Sequence, residues 1–76
     1  MEVKEFLENL SDCFDDTEAG EITVNAVFKD FDEWDSLSAL AIIAMCHKKY
    51  GVKLTGAEIR EAETIMDLYN LVESKL

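Results

Sequence analysis

A chain of 76 residues leaves room for one domain, over residues 1–76, with a modest core, because so short a chain buries only about 60% of the surface its unfolded form exposes. Apolar residues make up 49% of it, which excludes disorder of the kind driven by low hydrophobicity. The net charge of −10 argues against nucleic acid or anionic membrane as partners, since both attract basic surfaces, and leaves basic protein partners or simple solubility as its use.

Nothing at the N-terminus has the charged, apolar and small-residue succession of a signal peptide. No apolar run approaches the roughly 20 residues needed to span a bilayer, so the expectation is a cytoplasmic protein without membrane insertion. Cys13 and Cys46 are too few and too far apart for a disulfide framework or a zinc site. Each falls on an apolar helical stripe, and both read as buried free thiols.

Val3, Phe6, Leu7, Leu10, Cys13 and Phe14 recur at three- and four-residue steps, the signature of a helix with one apolar face. Asp15 and Asp16 oppose the negative end of its dipole, which predicts an end near Phe14 or Asp15. Residues 16–35 then form a long connection with apolar anchors at Ile22, Val24, Val27, Phe28, Phe31 and Trp34. Loops this long are seldom idle in small domains, and the anchors predict a packed one.

Asp35 is a candidate N-cap for a second helix that Ser36 opens, although Ser36 itself is an alternative cap. The helix is expected to run to about Tyr50, where Gly51 supplies a left-handed terminator and Lys48 and Lys49 suit the negative end. Ala39, Ile42, Ile43, Cys46 and Tyr50 form its inner stripe. At about 100° per residue the opposite side carries Leu37, Leu40, Ala41 and Ala44, with Lys48 at the far end. A helix apolar nearly all round needs more cover than a small fold supplies, so either the long loop folds over Leu37 and Leu40 or this face meets a partner.

Thr55 and Glu58 form a capping-box pattern for a short helix over roughly 56–62, with Ile59 facing inward. Thr64 marks a further start, and Ile65, Leu68, Tyr69, Val72 and Leu76 repeat at helical spacing over about 65–75. The fold class expected is all-α: a small four-helix bundle of three longer helices and one short one, with a long first loop.

Catalysis is poorly provided for. His47 lies on a helix face with no nucleophile at i±4 and reads as solvated. Asp15 with Asp16, and Asp30 with Asp32, lack the spacing of a calcium loop and read as solvated charge, so no metal site is expected. Asp35, Ser36 and Leu37 at a loop-to-helix junction are more suggestive, because a helix N-terminus welcomes a phosphodiester through its unpaired N–H groups and partial positive charge. An ordinary capping serine fits those three residues equally well.

The wider pattern resembles the acyl carrier protein family over essentially the whole chain. Trp34-Asp35-Ser36-Leu37 follows an acidic and aromatic loop, the helix closes in Lys49-Tyr50-Gly51-Val52-Lys53-Leu54, and Ala62, Thr64, Ile65, Leu68 and Val72 fit the family's tail. The resemblance implies a non-enzymatic carrier. Its 4′-phosphopantetheine is attached covalently to Ser36 by a phosphopantetheinyl transferase using coenzyme A, and acyl groups ride on the arm's terminal thiol as thioesters. It further implies that Asp35 assists recognition and metal-dependent transfer, that Leu37 and Leu40 contact partner enzymes, and that neither cysteine is the carrier thiol.

Implied partners are an acyl-loading ligase or acyltransferase and a ketosynthase or other acyl-consuming enzyme; Ala41, Ala44 and Lys48 extend the expected docking face, and a monomer is expected. The chain departs from the family in two places. Ser36 through Lys53 contains no acid, whereas twelve of the seventeen carboxylates precede Ser36. The family's usual Leu-Gly before Asp-Ser is replaced by Asp32, Glu33 and Trp34. Those departures predict a dedicated carrier in a specialised pathway rather than the general fatty-acid carrier. Peptidyl or D-alanyl carriers share the bundle and serine, but the paired glycines of peptide carriers are absent; an unmodified carrier-like adaptor is the remaining alternative. For cargo, a core lined by Phe6, Leu10, Ile42, Ile43, Cys46, Ile59, Leu68 and Tyr69 would have to part to admit an acyl chain, and Tyr50 and Tyr69 favour a shorter one.

Overall fold

Each apolar stripe in the sequence falls mainly on a helix of the computed structural model, which describes residues 2–76. Helix α1 spans Val3–Ser11, α2 Ser36–Tyr50, α3 Gly56–Glu61 and α4 Ile65–Lys75, and the connection from α1 to α2 contains 3-10 turns at Ala19–Glu21 and Phe28–Asp30. No strand occurs among the described residues, and none of their helices is long and apolar enough to cross a membrane. Helix α2 packs against α1 on one side and α3 on the other.

Helix α1 ends at Ser11, three to four residues before the expected Phe14 or Asp15. Ser11 Oγ bonds back to the Glu8 carbonyl at 2.6 Å, and the Cys13 N–H closes on the Leu10 carbonyl at 2.8 Å. The chain thereby turns early, and Phe14 leaves the helical stripe to pack edge-on to Phe31, ring centroids 5.2 Å apart, and beside Trp34. Burial of Phe14 in this aromatic group is worth about 2–3 kcal/mol, more than one further turn of helix running into Asp12, Asp15 and Asp16 offers.

The long connection is packed, as its anchors predict. Ile22 and Phe28 are buried, and Phe28 stacks edge-on against Trp34 at 5.1 Å. Val24, Phe31 and Trp34 are half-buried, while Val27 is exposed, contrary to its reading as an anchor; it precedes the second 3-10 turn, where the backbone points Phe28 rather than Val27 inward. The loop also serves α4. The Val24 and Ala26 carbonyls accept the N–H groups of Met66 and Ile65 at 2.8 and 3.0 Å, two donors that have no partner within their own helix.

Helix α2 terminates as expected at Gly51, whose φ of 68° lies in the left-handed region that glycine enters without steric cost. Ile42 and Cys46 of its inner stripe are fully buried, whereas Ala39, Ile43 and Tyr50 are only half-covered. Phe6, Leu10, Ile59 and Leu68 complete the centre as expected, and half-buried Tyr69 packs edge-on to Phe6 at 5.7 Å. The Tyr50 hydroxyl lies at the rim and accepts a bond from Asn9 Nδ2 at 2.8 Å.

Helices α3 and α4 both begin in complete capping boxes, Thr55 with Glu58 and Thr64 with Asp67. Glu58 also pairs with Lys75 at 2.9 Å, tying the start of α3 to the end of α4. The Lys75 ammonium and then the Thr55 N–H hold the Glu58 carboxyl below its ordinary value of 4.5. The N–H groups of Thr64 and Glu63 do the same for Asp67, whose ordinary value is 3.8. A carboxyl depressed on folding stabilises the native state above its unfolded value and loses that contribution as pH falls through the folded one. A Glu58→Gln/Asp67→Asn variant is therefore expected to melt below the parent protein at pH 7, with the gap narrowing as pH falls below about 4.5. Thermal melts of both proteins from pH 7 to 3 check this, and a gap that stays constant contradicts it.

Candidate functional site

The segment leading into α2 is held by three side chains. Asp35 is the N-cap, and its Oδ1 accepts the Ser38 N–H at 2.9 Å. Ser38 is the buried polar residue of the described chain, and its hydroxyl lies 3.1 Å from the Glu33 carbonyl and 3.3 Å from Asp35 Oδ1. The Glu33 carboxylate reaches the other way, accepting the Asp16 N–H at 2.9 Å and the Thr17 hydroxyl at 2.5 Å. One residue thus joins the start of the long loop to the first turn of α2.

Between these pinned neighbours Ser36 is exposed as the first residue of α2. Asp35, not Ser36, is the cap, which leaves the Ser36 hydroxyl out of the capping arrangement. A nucleophile or attachment point needs that combination: a backbone held by its neighbours and a hydroxyl facing solvent.

Two adjoining depressions lead away from Ser36 along α2, sharing Leu40 and Ile43. The first, of about 440 Å³, is bordered by Trp34, Asp35, Ser36 and Ala39 on one side and by Gly56, Ile59 and Arg60 of α3 on the other. The second, of about 550 Å³, continues past Ala44 and His47 to Lys53 and Leu54. Helical spacing explains the alignment, since Ser36, Leu40, Ile43 and His47 follow one another at three- and four-residue steps.

Leu37 and Leu40 are 71% and 59% exposed, so the long loop does not fold over them. Ala44 and Lys48 are also exposed, and Ala41 is half-buried. Ala41, Ala44 and Lys48 border a separate shallow depression against α1. The structure thus brings Asp35, Ser36, Leu37 and Leu40 to one end of α2 and places Ala41, Ala44 and Lys48 further along it. His47 is exposed, as expected.

Both cysteines are free thiols, yet only Cys46 is buried; Cys13, past the early end of α1, is half-covered, which corrects the expectation of two buried thiols. Burial, with the Asp12 and Asp15 charges adding to it, pushes the Cys13 thiol up to about 11. Burial does the same for Cys46, to about 12. Both thiols are therefore weak nucleophiles near neutral pH.

Glu33 and Ser38 escape a reading of the sequence. Acidic loop residues ordinarily solvate, and a serine inside an apolar helix ordinarily points outward. The available signal was the spacing Asp-x-x-Ser, which sets a polar side chain at the third helical position of an aspartate-capped helix.

A family model for the phosphopantetheine attachment site matches residues 5–72. Over 61 residues the chain is 38% identical to polyketide-8 synthase acyl carrier protein 2 of Streptomyces avermitilis, covering 80% of this chain and 70% of that protein. Over 73 residues it is 29% identical to an acyl carrier protein of Thermobifida fusca, covering 92% of each. No solved structure matches it.

Asp35→Ala is expected to cost about 1 kcal/mol, the usual value of an N-cap, and to lower the melting temperature by roughly 4–8 °C. Amide exchange should quicken at Ser38 and through the first turn of α2. Unchanged stability and exchange would exclude the capping role.

Proposed function

This chain belongs to the acyl carrier protein family, whose members bear a covalent 4′-phosphopantetheine, and on that premise we propose that Ser36 is where it is attached. The chain is a carrier, not a catalyst. Its prosthetic group supplies a thiol that holds an acyl group as a thioester. The observation that supports Ser36 is its exposed hydroxyl at the first position of α2 beside a cap formed by Asp35.

The surroundings suit such a group. A phosphodiester on Ser36 would sit at the positive end of a fifteen-residue helix, where the dipole favours negative charge. The depression that starts at Ser36 is lined by Ala39, Leu40, Ile43 and Ile59, with Arg60 on the border, so both apolar and anionic portions of an arm meet compatible side chains. Asp35 is fixed by its bond to Ser38 and offers a carboxylate at a constant position for a transferase to recognise. Transfer from coenzyme A makes a bond between Ser36 Oγ and phosphorus, breaks the phosphoanhydride bond to adenosine 3′,5′-bisphosphate, and sends the hydroxyl proton to a base on the transferase.

The pathway we favour is a specialised one, of polyketide type, with a dedicated ligase or acyltransferase to load the arm and a ketosynthase to unload it. Two observations support this. A relative is named as a polyketide synthase carrier, and α2 lacks any acid along its length. Leu37, Leu40 and Ala44 form the apolar part of the docking face for these enzymes.

Incubation with coenzyme A and a permissive phosphopantetheinyl transferase is expected to add one phosphopantetheinyl group to the intact mass, and Ser36→Ala is expected to abolish the gain. No gain, or a gain that survives the substitution, overturns the assignment. A thiol titration with an aromatic disulfide near pH 7.5 gives a second reading. The modified protein is expected to show one fast-reacting thiol absent from the unmodified protein, with Cys13 and Cys46 lagging because their pKa values are about 11 and 12.

A further inference from the structure

The charge along α2 changes sign, and that pattern specifies the surface that docks there. Asp32 and Asp35 lie exposed at the Ser36 end. Beyond them no carboxylate occurs until Glu58, while Lys48, Lys49 and Lys53 are all exposed. Among the described residues no ion pair engages these three lysines. Lys53 and His47 border the second depression, whose floor is Leu40, Ile43, Ala44 and Leu54. An apolar recess with a basic edge has thus formed on a protein of net charge −10.

We propose that the acyl-handling enzyme docking on α2 presents an apolar projection to the recess beside Leu40, one carboxylate to Lys53 at its edge, and others to Lys48 and Lys49, which border the neighbouring depression against α1 together with Asp12. This rests on the carrier reading for the partner's class, and goes beyond it in fixing the sign of the partner's surface. A basic patch covering the whole of α2 would place like charges against the lysine end, which costs affinity and slows encounter. Acids at that end, with basic groups confined to the Ser36 end, match every exposed charge on the helix. The alternation also sets direction, because a partner docked the wrong way round opposes like charges at both ends and faces its active centre away from Ser36.

Two synthetic amphipathic helical peptides with the same leucine pattern, one carrying glutamates beside the leucines and the other lysines, serve as probes. Each is titrated into the ¹⁵N-labelled full chain, unmodified and modified. The glutamate peptide is expected to shift the amides of Leu40, Ala44, His47 and Lys53 and to bind this face about tenfold more tightly than the lysine peptide. Raised salt is expected to erase most of that preference. A Lys48→Gln/Lys49→Gln/Lys53→Gln variant, checked for an unchanged helical spectrum, is expected to lose it as well.

Equal binding of the two peptides at this face, no shift of its amides by either, or an unchanged preference in the triple variant overturns the proposal. So does concentration-dependent dimerisation that the triple variant abolishes, because the acidic face of a second copy would then be the occupant. The two questions stay apart: absence of the mass gain in the parent chain removes the carrier reading, whereas absence of the charge preference, read in the parent chain and in Ser36→Ala alike, removes this one.

Discussion

The hydrogen bonds around Ser38 are the constraint on which the rest of the structure depends. A helix must satisfy its first N–H groups, and a carrier helix must do so without using the hydroxyl it displays. Here Asp35 accepts from the Ser38 backbone, and the Ser38 hydroxyl reaches Glu33 and Asp35. A buried hydroxyl left without a partner costs about 1–3 kcal/mol, so Ser38 ties Glu33 and Asp35 to the first turn of α2. Ser36 lies within the 33–38 segment and is positioned by bonds it does not make.

The same economy runs through the long connection. Its aromatic residues surround Phe14, its Glu33 carboxylate ties Asp16 and Thr17 to the approach to α2, and its carbonyls at Val24 and Ala26 complete the start of α4. What looks like a linker between two helices is therefore a brace among three. This frees α2 from being covered on its outer side, because the inner contacts through Ile42 and Cys46 and the clamp at its N-terminus already fix it.

The parts of this arrangement that were legible in the sequence are those set by short-range rules. Gly51 as a left-handed terminator and Thr55 with Glu58 and Thr64 as starts each depend on residues within four positions of one another, and each was placed correctly, whereas the cap of α2 stayed open between Asp35 and Ser36 until the structure selected Asp35. The early end of α1 was not legible, because Phe14 fits the helical period and abandons it only for Phe31 and Trp34, seventeen and twenty residues later. Glu33 and Ser38 were missed for a related reason: one looks solvated and the other incidental until the loop is folded back. The exposed face of α2 could be inferred only as an excess of apolar surface; that the loop leaves Leu37 and Leu40 open is a matter of where Phe28 and Trp34 pack instead.

Net charge is a poor guide to what such a helix attracts. At physiological ionic strength exposed charges are screened over about 8 Å, so a surface lying on α2 responds to the groups it covers and much less to the acids of α1 and the far side of the bundle. Covered in this way, α2 presents Asp35 at one end, Leu37, Leu40 and Ala44 in the middle, and three lysines at and just beyond the other. The acids elsewhere supply most of the net charge of −10. On the docking we propose, recognition falls to a strip about twenty residues long in sequence, in which the apolar middle would supply the contact area and the opposed ends the orientation that brings Ser36 to a partner's active centre.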